Sequence, residues 1–83
     1  MKQKLSDISD REVESFYIKI GENVKEARTR AEKSQLDLAL AIGIKSVAFY
    51  SNCESVRYGK HFNLEHIYKI AKVLGVDVCE LLK

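Results

Sequence analysis

The sequence predicts an all-α domain, a compact bundle of about five helices. Three observations lead there. Of 83 residues 46% are apolar and 31% charged, with no Pro, a profile of compact helical chains rather than disordered tails or disulfide scaffolds. Apolar residues recur at three- and four-residue spacings along most of the chain, and Ser, Asn, Asp or Gly stands where those stretches begin or end. A chain of this length supports a single domain with a small core, stable by about 5 kcal/mol on general grounds.

Met1 to Ile8 shows little periodicity and is expected to be a frayed, flexible N-terminus. Ser9, with Glu12 three residues on, carries a capping-box signal that starts a helix near Asp10. Val13, Tyr17, Ile20, Val24, Ala27 and Ala31 then keep to one helical face, with Gly21 inside the run weakening it by up to about 1 kcal/mol, so one long helix or two shorter ones fit. A single-domain protein normally uses the first half of such a stripe for its own core, which is the reading favoured here; a partner-binding seam is the competing one. Residues 9–19 are accordingly an expected helical extension, and residues 20–83 the core of a single domain over 9–83.

Ser34 restarts the pattern as an N-cap, with the Asp37 charge at the positive end of the helix dipole. Leu38, Ala39 and Ile42 form its inner face, Ala39 being small where two helices cross. Gly43 supplies the left-handed conformation that ends the helix, and Ile44 packs back on it. Ser46 caps a helix over about 47–54 with Tyr50 and Cys53 turned inward. Ser55 to Phe62 forms a polar, basic loop. Asn63 caps a further helix whose inner stripe is Leu64, Ile67, Ile70, Ala71 and Leu74; Gly75 stops it, and Asp77 caps a last turn in which Leu81 and Leu82 close the core.

Composition also limits function. Cys53 and Cys79 lack metal spacing and are expected as small buried groups in a reducing cytoplasm. No apolar run reaches the roughly 20 residues of a membrane helix. His61 and His66 stand outside any HExxH pattern, and no Gly-rich phosphate loop or acidic pair occurs, so neither an enzyme nor a metal or cofactor is expected. The net charge of +2 is unevenly placed: residues 23–62 hold seven Lys and Arg against four acids, while residues 1–22 sum to −1 and residues 63–83 to zero. The positive excess surrounds the two short helices that meet at Gly43 and Ile44.

Gln35, Leu38, Ala39, Gly43 and Ile44, followed by Ser51 and Glu54, together with Arg28 and the closing IAKVLGVDVCELL, resemble the lambda-repressor-like helix-turn-helix domains of the Cro and phage-repressor class, from about Ile20 to Leu82. The resemblance implies a sequence-specific DNA-binding transcriptional regulator, a repressor, that binds double-stranded DNA as a homodimer. It also implies an Arg28–Glu54 bridge and a phosphate contact at Gln35. A helix-turn-helix protein-interaction module or antitoxin, with a partner protein in place of DNA, is the alternative.

The sequence departs from the family in three places. One residue is extra between Gly43 and Glu54; placing it at Lys45 keeps Ser46, Ser51, Cys53 and Glu54 in register, whereas an insertion inside the helix makes Phe49 the buried anchor instead of Tyr50. The loop after Glu54 is about two residues longer, and the N-terminal extension is additional. With the extra residue at Lys45, the base-reading candidates are Lys45, Ser46, Val47, Ala48, Ser51 and Asn52. Asn52 suits adenine and Val47 or Ala48 a thymine methyl, and the lack of Arg implies A·T-containing sites read partly through DNA shape. Arg30, Lys33, Arg57, Lys60 and His61 are phosphate candidates beside Gln35. Arg28, Ala39, Gly43 and Glu54 are read as structural. The dimer contact is expected at the last helix or at the N-terminal stripe of Val13, Phe16 and Tyr17.

Overall fold

The computed structural model describes residues 7–83, so most of the frayed segment expected over residues 1–8 lies outside the described residues. The elements are α1 (Asp10–Arg30), α2 (Gln35–Ala41), α3 (Val47–Ser55), α4 (Leu64–Leu74) and α5 (Val78–Leu82). Each begins at a side-chain cap. Ser9, Ser34, Ser46, Asn63 and Asp77 accept the backbone N–H of Glu12, Asp37, Phe49, His66 and Cys79 respectively, satisfying donors that have no intrahelical partner. At Ser34 and Asn63 the box is reciprocal, and at Asn63 the returning group is His66 Nδ1, 3.1 Å from the Asn63 amide.

The first four helices end alike. A backbone N–H reaches five residues back, from Lys33 to Arg28, Ile44 to Ala39, Arg57 to Asn52 and Val76 to Ala71. This closure requires a left-handed residue just before the donor, found at Glu32, Gly43, Val56 and Gly75. Gly43 fulfils its expected role, and Ile44 beyond it is buried.

α1 packs on α3, α5 and α4, while α2 packs on α3 and α4. Tyr50, Leu38, Ile67, Ile70, Leu81, Val24 and Cys53 fill the centre. Tyr50 is fully buried whereas Phe49 is at the surface, so the register with the extra residue at Lys45 is the one adopted. The loop between α3 and α4 is less polar inside than its composition implies, because Phe62 turns inward against the Tyr50 ring, 5.2 Å between centroids. Asn23 ties the far end of the chain to α1, its Nδ2 donating to the backbone oxygens of Leu81 and Lys83 at 3.1 and 2.9 Å.

Four expectations are corrected. Val13 and Ala31 are exposed: Ala31 is the C-cap of α1, where the chain turns away through exposed residues, and at the other end the stripe enters the core only from Tyr17 onward, because the rest of the bundle ends there and α1 projects past it, giving the molecule its 50 Å length against 25 and 18 Å. Leu64 is 78% exposed, since the first turn of α4 overhangs the core rather than lying on it. Cys79 is exposed, because α5 has only one turn and commits its inward position to Leu81. Ser9 caps α1 as expected, but the carboxylate of Glu12 makes no return bond.

Gly21 neither kinks nor splits α1, which is a single helix of 21 residues. A Cβ at this position would overlap the Glu54 carbonyl oxygen, so the absent side chain lets α1 and α3 touch backbone to backbone. Gly21→Ala would gain up to about 1 kcal/mol from helix propensity on an exposed face. Here it is expected to lower the urea-unfolding free energy by about 1–3 kcal/mol through overpacking; a rise would show that the two helices are free to separate.

Candidate nucleic-acid interface

The site starts from a buried carboxylate. Glu54 lies on the inner side of α3 with its side chain 3% exposed, and four donors converge on it. Arg28 of α1 binds it through both ends of its fork, Nε to Oε2 at 2.9 Å and Nη2 to Oε1 at 3.0 Å. Gln35 of α2 donates its amide to Oε1 at 2.9 Å, and Tyr50, one turn earlier on α3, donates its hydroxyl to Oε2 at 2.8 Å. The remaining Arg28 nitrogen, Nη1, holds the Lys33 carbonyl at 2.9 Å. One carboxylate thus fixes α1, the α1–α2 turn and α2 against α3.

Burial pushes the Glu54 carboxyl up, but the hydrogen bonds from Arg28, Gln35 and Tyr50 outweigh it and hold the group below the usual carboxylate range. Glu54 in turn raises the Arg28 guanidinium above its ordinary value, so both partners stay charged.

This clamp turns the other side of α3 outward. Lys45, Ser46, Val47 and Ala48 are exposed across the turn and first helical turn, while Ser51 and Asn52 follow half-buried on the same side. The Ser46 hydroxyl already accepts the Phe49 N–H at 3.1 Å, whereas Lys45, Ser51 and Asn52 have no side-chain hydrogen bond among the described residues. Phe49 leaves this face and meets His66 edge-on at 6.4 Å. Two short capped helices joined by a Gly turn, the second braced from behind and uncommitted in front, make a helix-turn-helix unit.

The sequence profile described as helix-turn-helix matches residues 24–81. The chain belongs to this lambda-repressor-like helix-turn-helix family. The chain matches no curated protein and no solved structure. At the level of the family, the domain is a DNA-binding regulator.

Within this helix-turn-helix domain the phosphate candidates divide. Arg57 and Lys60 are exposed on the loop after α3 and, like Lys33 before α2, carry no ion pair among the described residues. Arg30 lies 3.9 Å from Glu26 on the last turns of α1. His61 is stacked on Tyr17, with centroids 3.7 Å apart and planes at 13°, so its ring serves the α1–loop contact. Gln35 is drawn into the Glu54 cluster rather than left open to solvent. Arg28 and Glu54 are paired, Ala39 is buried and Gly43 is left-handed.

Sequence reasoning missed Tyr50 and Gln35 as partners of Glu54. Tyr50 had a signal, lying four residues before Glu54 and so on the same helical face. Gln35 had none. Among the described residues no three His, Cys, Asp or Glu side chains gather as a metal site, and no helix is long and apolar enough to cross a membrane.

Glu54→Ala strands the Arg28 guanidinium and is expected to cost about 3–5 kcal/mol of unfolding free energy. Because the folded carboxyl titrates below its unfolded value, its contribution is complete above that value, near pH 4, and disappears as pH falls through the folded one. Wild-type stability should therefore drop more steeply in acid than that of Glu54→Gln. Equal pH profiles would show that the ionised form carries no advantage.

Proposed function

We propose that this protein is a sequence-specific transcriptional regulator, a repressor that inserts α3 into the major groove and binds a two-fold operator as a homodimer. The observation that carries this reading is the uncommitted outer face of α3, with Val47, Ala48, Ser51 and Asn52 exposed or half-buried and the nearby cations Lys45, Arg57 and Lys60 without an ion pair among the described residues. Asn52 suits the paired donor and acceptor of adenine, and Val47 or Ala48 suits a thymine methyl. With no Arg on the face, guanine loses its commonest reader, so half-sites rich in A·T are expected, partly selected through DNA shape. Lys45, Arg57, Lys60 and Lys33 are assigned to phosphates. One helix buries too little surface for tight specific binding, and a symmetric pair doubles it. Residues 9–19 act as an extension to the DNA-binding core of residues 20–83.

A second reading, a protein-interaction module or antitoxin on the same fold, is favoured by Leu40, Tyr68 and Val73, exposed apolar side chains around one shallow concavity between α2 and α4. Binding to random-sequence duplex separates the two. The wild type is expected to bind at low salt, with log K falling linearly in log salt. Combined Lys45→Ala, Arg57→Ala and Lys60→Ala should reduce that slope by about 2–3 units, near one per phosphate contact. Absence of wild-type binding, or identical slopes, would contradict the regulator reading. Selection from a random oligonucleotide pool then gives the half-site and its spacing.

A further inference from the structure

α4 begins on a capping box that only an uncharged imidazole can close. The Asn63 side chain accepts the His66 N–H at 2.8 Å, and in return the Asn63 N–H donates to His66 Nδ1 at 3.1 Å. The usual returning acceptor is an oxygen of Glu or Gln. An imidazole accepts at Nδ1 only while that nitrogen is bare and the proton sits on Nε2, whereas an imidazolium has two donors and no acceptor. A proton on Nδ1 therefore sets two N–H groups against each other where the return bond was.

The same ring joins α4 to α3. Phe49, the third residue of α3, meets it at 6.4 Å between centroids, and Phe62 of the loop meets it at 5.9 Å, with interplanar angles of 69° and 82°. Phe62 is buried, so His66 links the exposed first turn of α3 to the core. α3 and the loop face the imidazole with these two uncharged rings. The charges acting on it are Glu65 and Lys69 of its own helix, themselves paired at 2.8 Å. Burial is the largest influence and holds the imidazole below its ordinary range; Glu65 opposes this and Lys69 adds to it. The positive end of the α4 dipole also disfavours a cation at this position.

We propose that His66 is an acid-sensitive latch between α3 and α4: a proton taken from solvent at Nδ1 opens the box at Asn63, the ring swings away from Phe49, and the first turn of α3 loosens. The latch acts on α3 before any DNA is met, so it adds a control to the proposed function and does not depend on it. In the unfolded chain His66 takes up its proton near the ordinary value, about 6.5, and in the folded chain at a lower pH. Its contribution to stability is therefore complete above about pH 6.5 and is lost as pH falls through the folded value. The acid loss at Glu54 lies near pH 4 and below, outside this range.

Proton–nitrogen NMR of the DNA-free protein, titrated from about pH 7 to about pH 5, tests the latch. Neutral His66 is expected to carry its proton on Nε2 and to titrate below about 6.5, with the amide resonances of Asn63 and of residues 47–49 moving at the same midpoint. Over this range the folding equilibrium constant of the wild type, from urea unfolding, should fall by about two- to tenfold more than that of His66→Gln, whose amide oxygen closes the box at either pH. A neutral ring protonated at Nδ1, a midpoint at or above about 6.5, α3 resonances that ignore the titration, or equal losses in the two proteins would each overturn the latch. The NMR titration uses the wild type alone, so it decides the question even where His66→Gln folds poorly.

Discussion

The position of α3 depends on the carboxylate of Glu54. It sits where α1, α2 and α3 meet, almost without solvent, and takes hydrogen bonds from Arg28, Gln35 and Tyr50 at 2.8–3.0 Å. A buried ion pair is weak evidence of net stability, because removing two charges from water costs about as much as their attraction returns. Its contribution is geometric. An unpaired Glu54 or Arg28 is so unfavourable in the interior that packings which separate them are suppressed, and the angle between α2 and α3 is fixed with them. Gly21 adds the steric half of the same constraint, since only a residue without Cβ lets α1 approach the Glu54 backbone.

A helix held this firmly from behind has little freedom in front. The face of Val47, Ala48, Ser51 and Asn52 is presented by packing against α1 and α2 rather than by contacts of its own, which suits a surface that must meet a rigid groove with small adjustments. In the proposed reading, recognition and phosphate binding are divided accordingly. The α3 face carries shape and hydrogen bonding with little charge, and the turn and loop on either side of it supply Lys45, Arg57 and Lys60. A low net charge is compatible with nucleic-acid binding when the cations lie where the backbone passes.

The sequence revealed what is locally determined. Caps at Ser9, Ser34, Ser46, Asn63 and Asp77 were legible because each is a side chain bonding to its own chain two or three residues on. The stop at Gly43 was legible because glycine advertises a left-handed site. Glu32 and Val56 adopt the same conformation with no such mark, the tertiary contacts overriding their preference. Gly21 was misread as a weakness because propensity describes a helix alone, and the reason for the glycine lies on another helix. Periodicity placed Val13 and Leu64 on inner faces correctly as directions, but it cannot tell where along an axis the core ends. In the site, the Arg28–Glu54 pair was legible by resemblance, whereas the Gln35 amide, expected as a surface contact, braces Glu54 at 2.9 Å across helices that no local pattern relates.

Titrating isotope-labelled protein with a short random duplex at low salt, while following backbone amide resonances, tests directly whether the braced helix presents its outer face to DNA. Shifts are predicted at residues 45–48, 51–52 and 57–60, with the side-chain signals of Arg28 and Gln35 unchanged because the clamp stays closed. Shifts centred on α4 or the α1 extension instead, or a disturbed Arg28 signal on binding, would contradict the account.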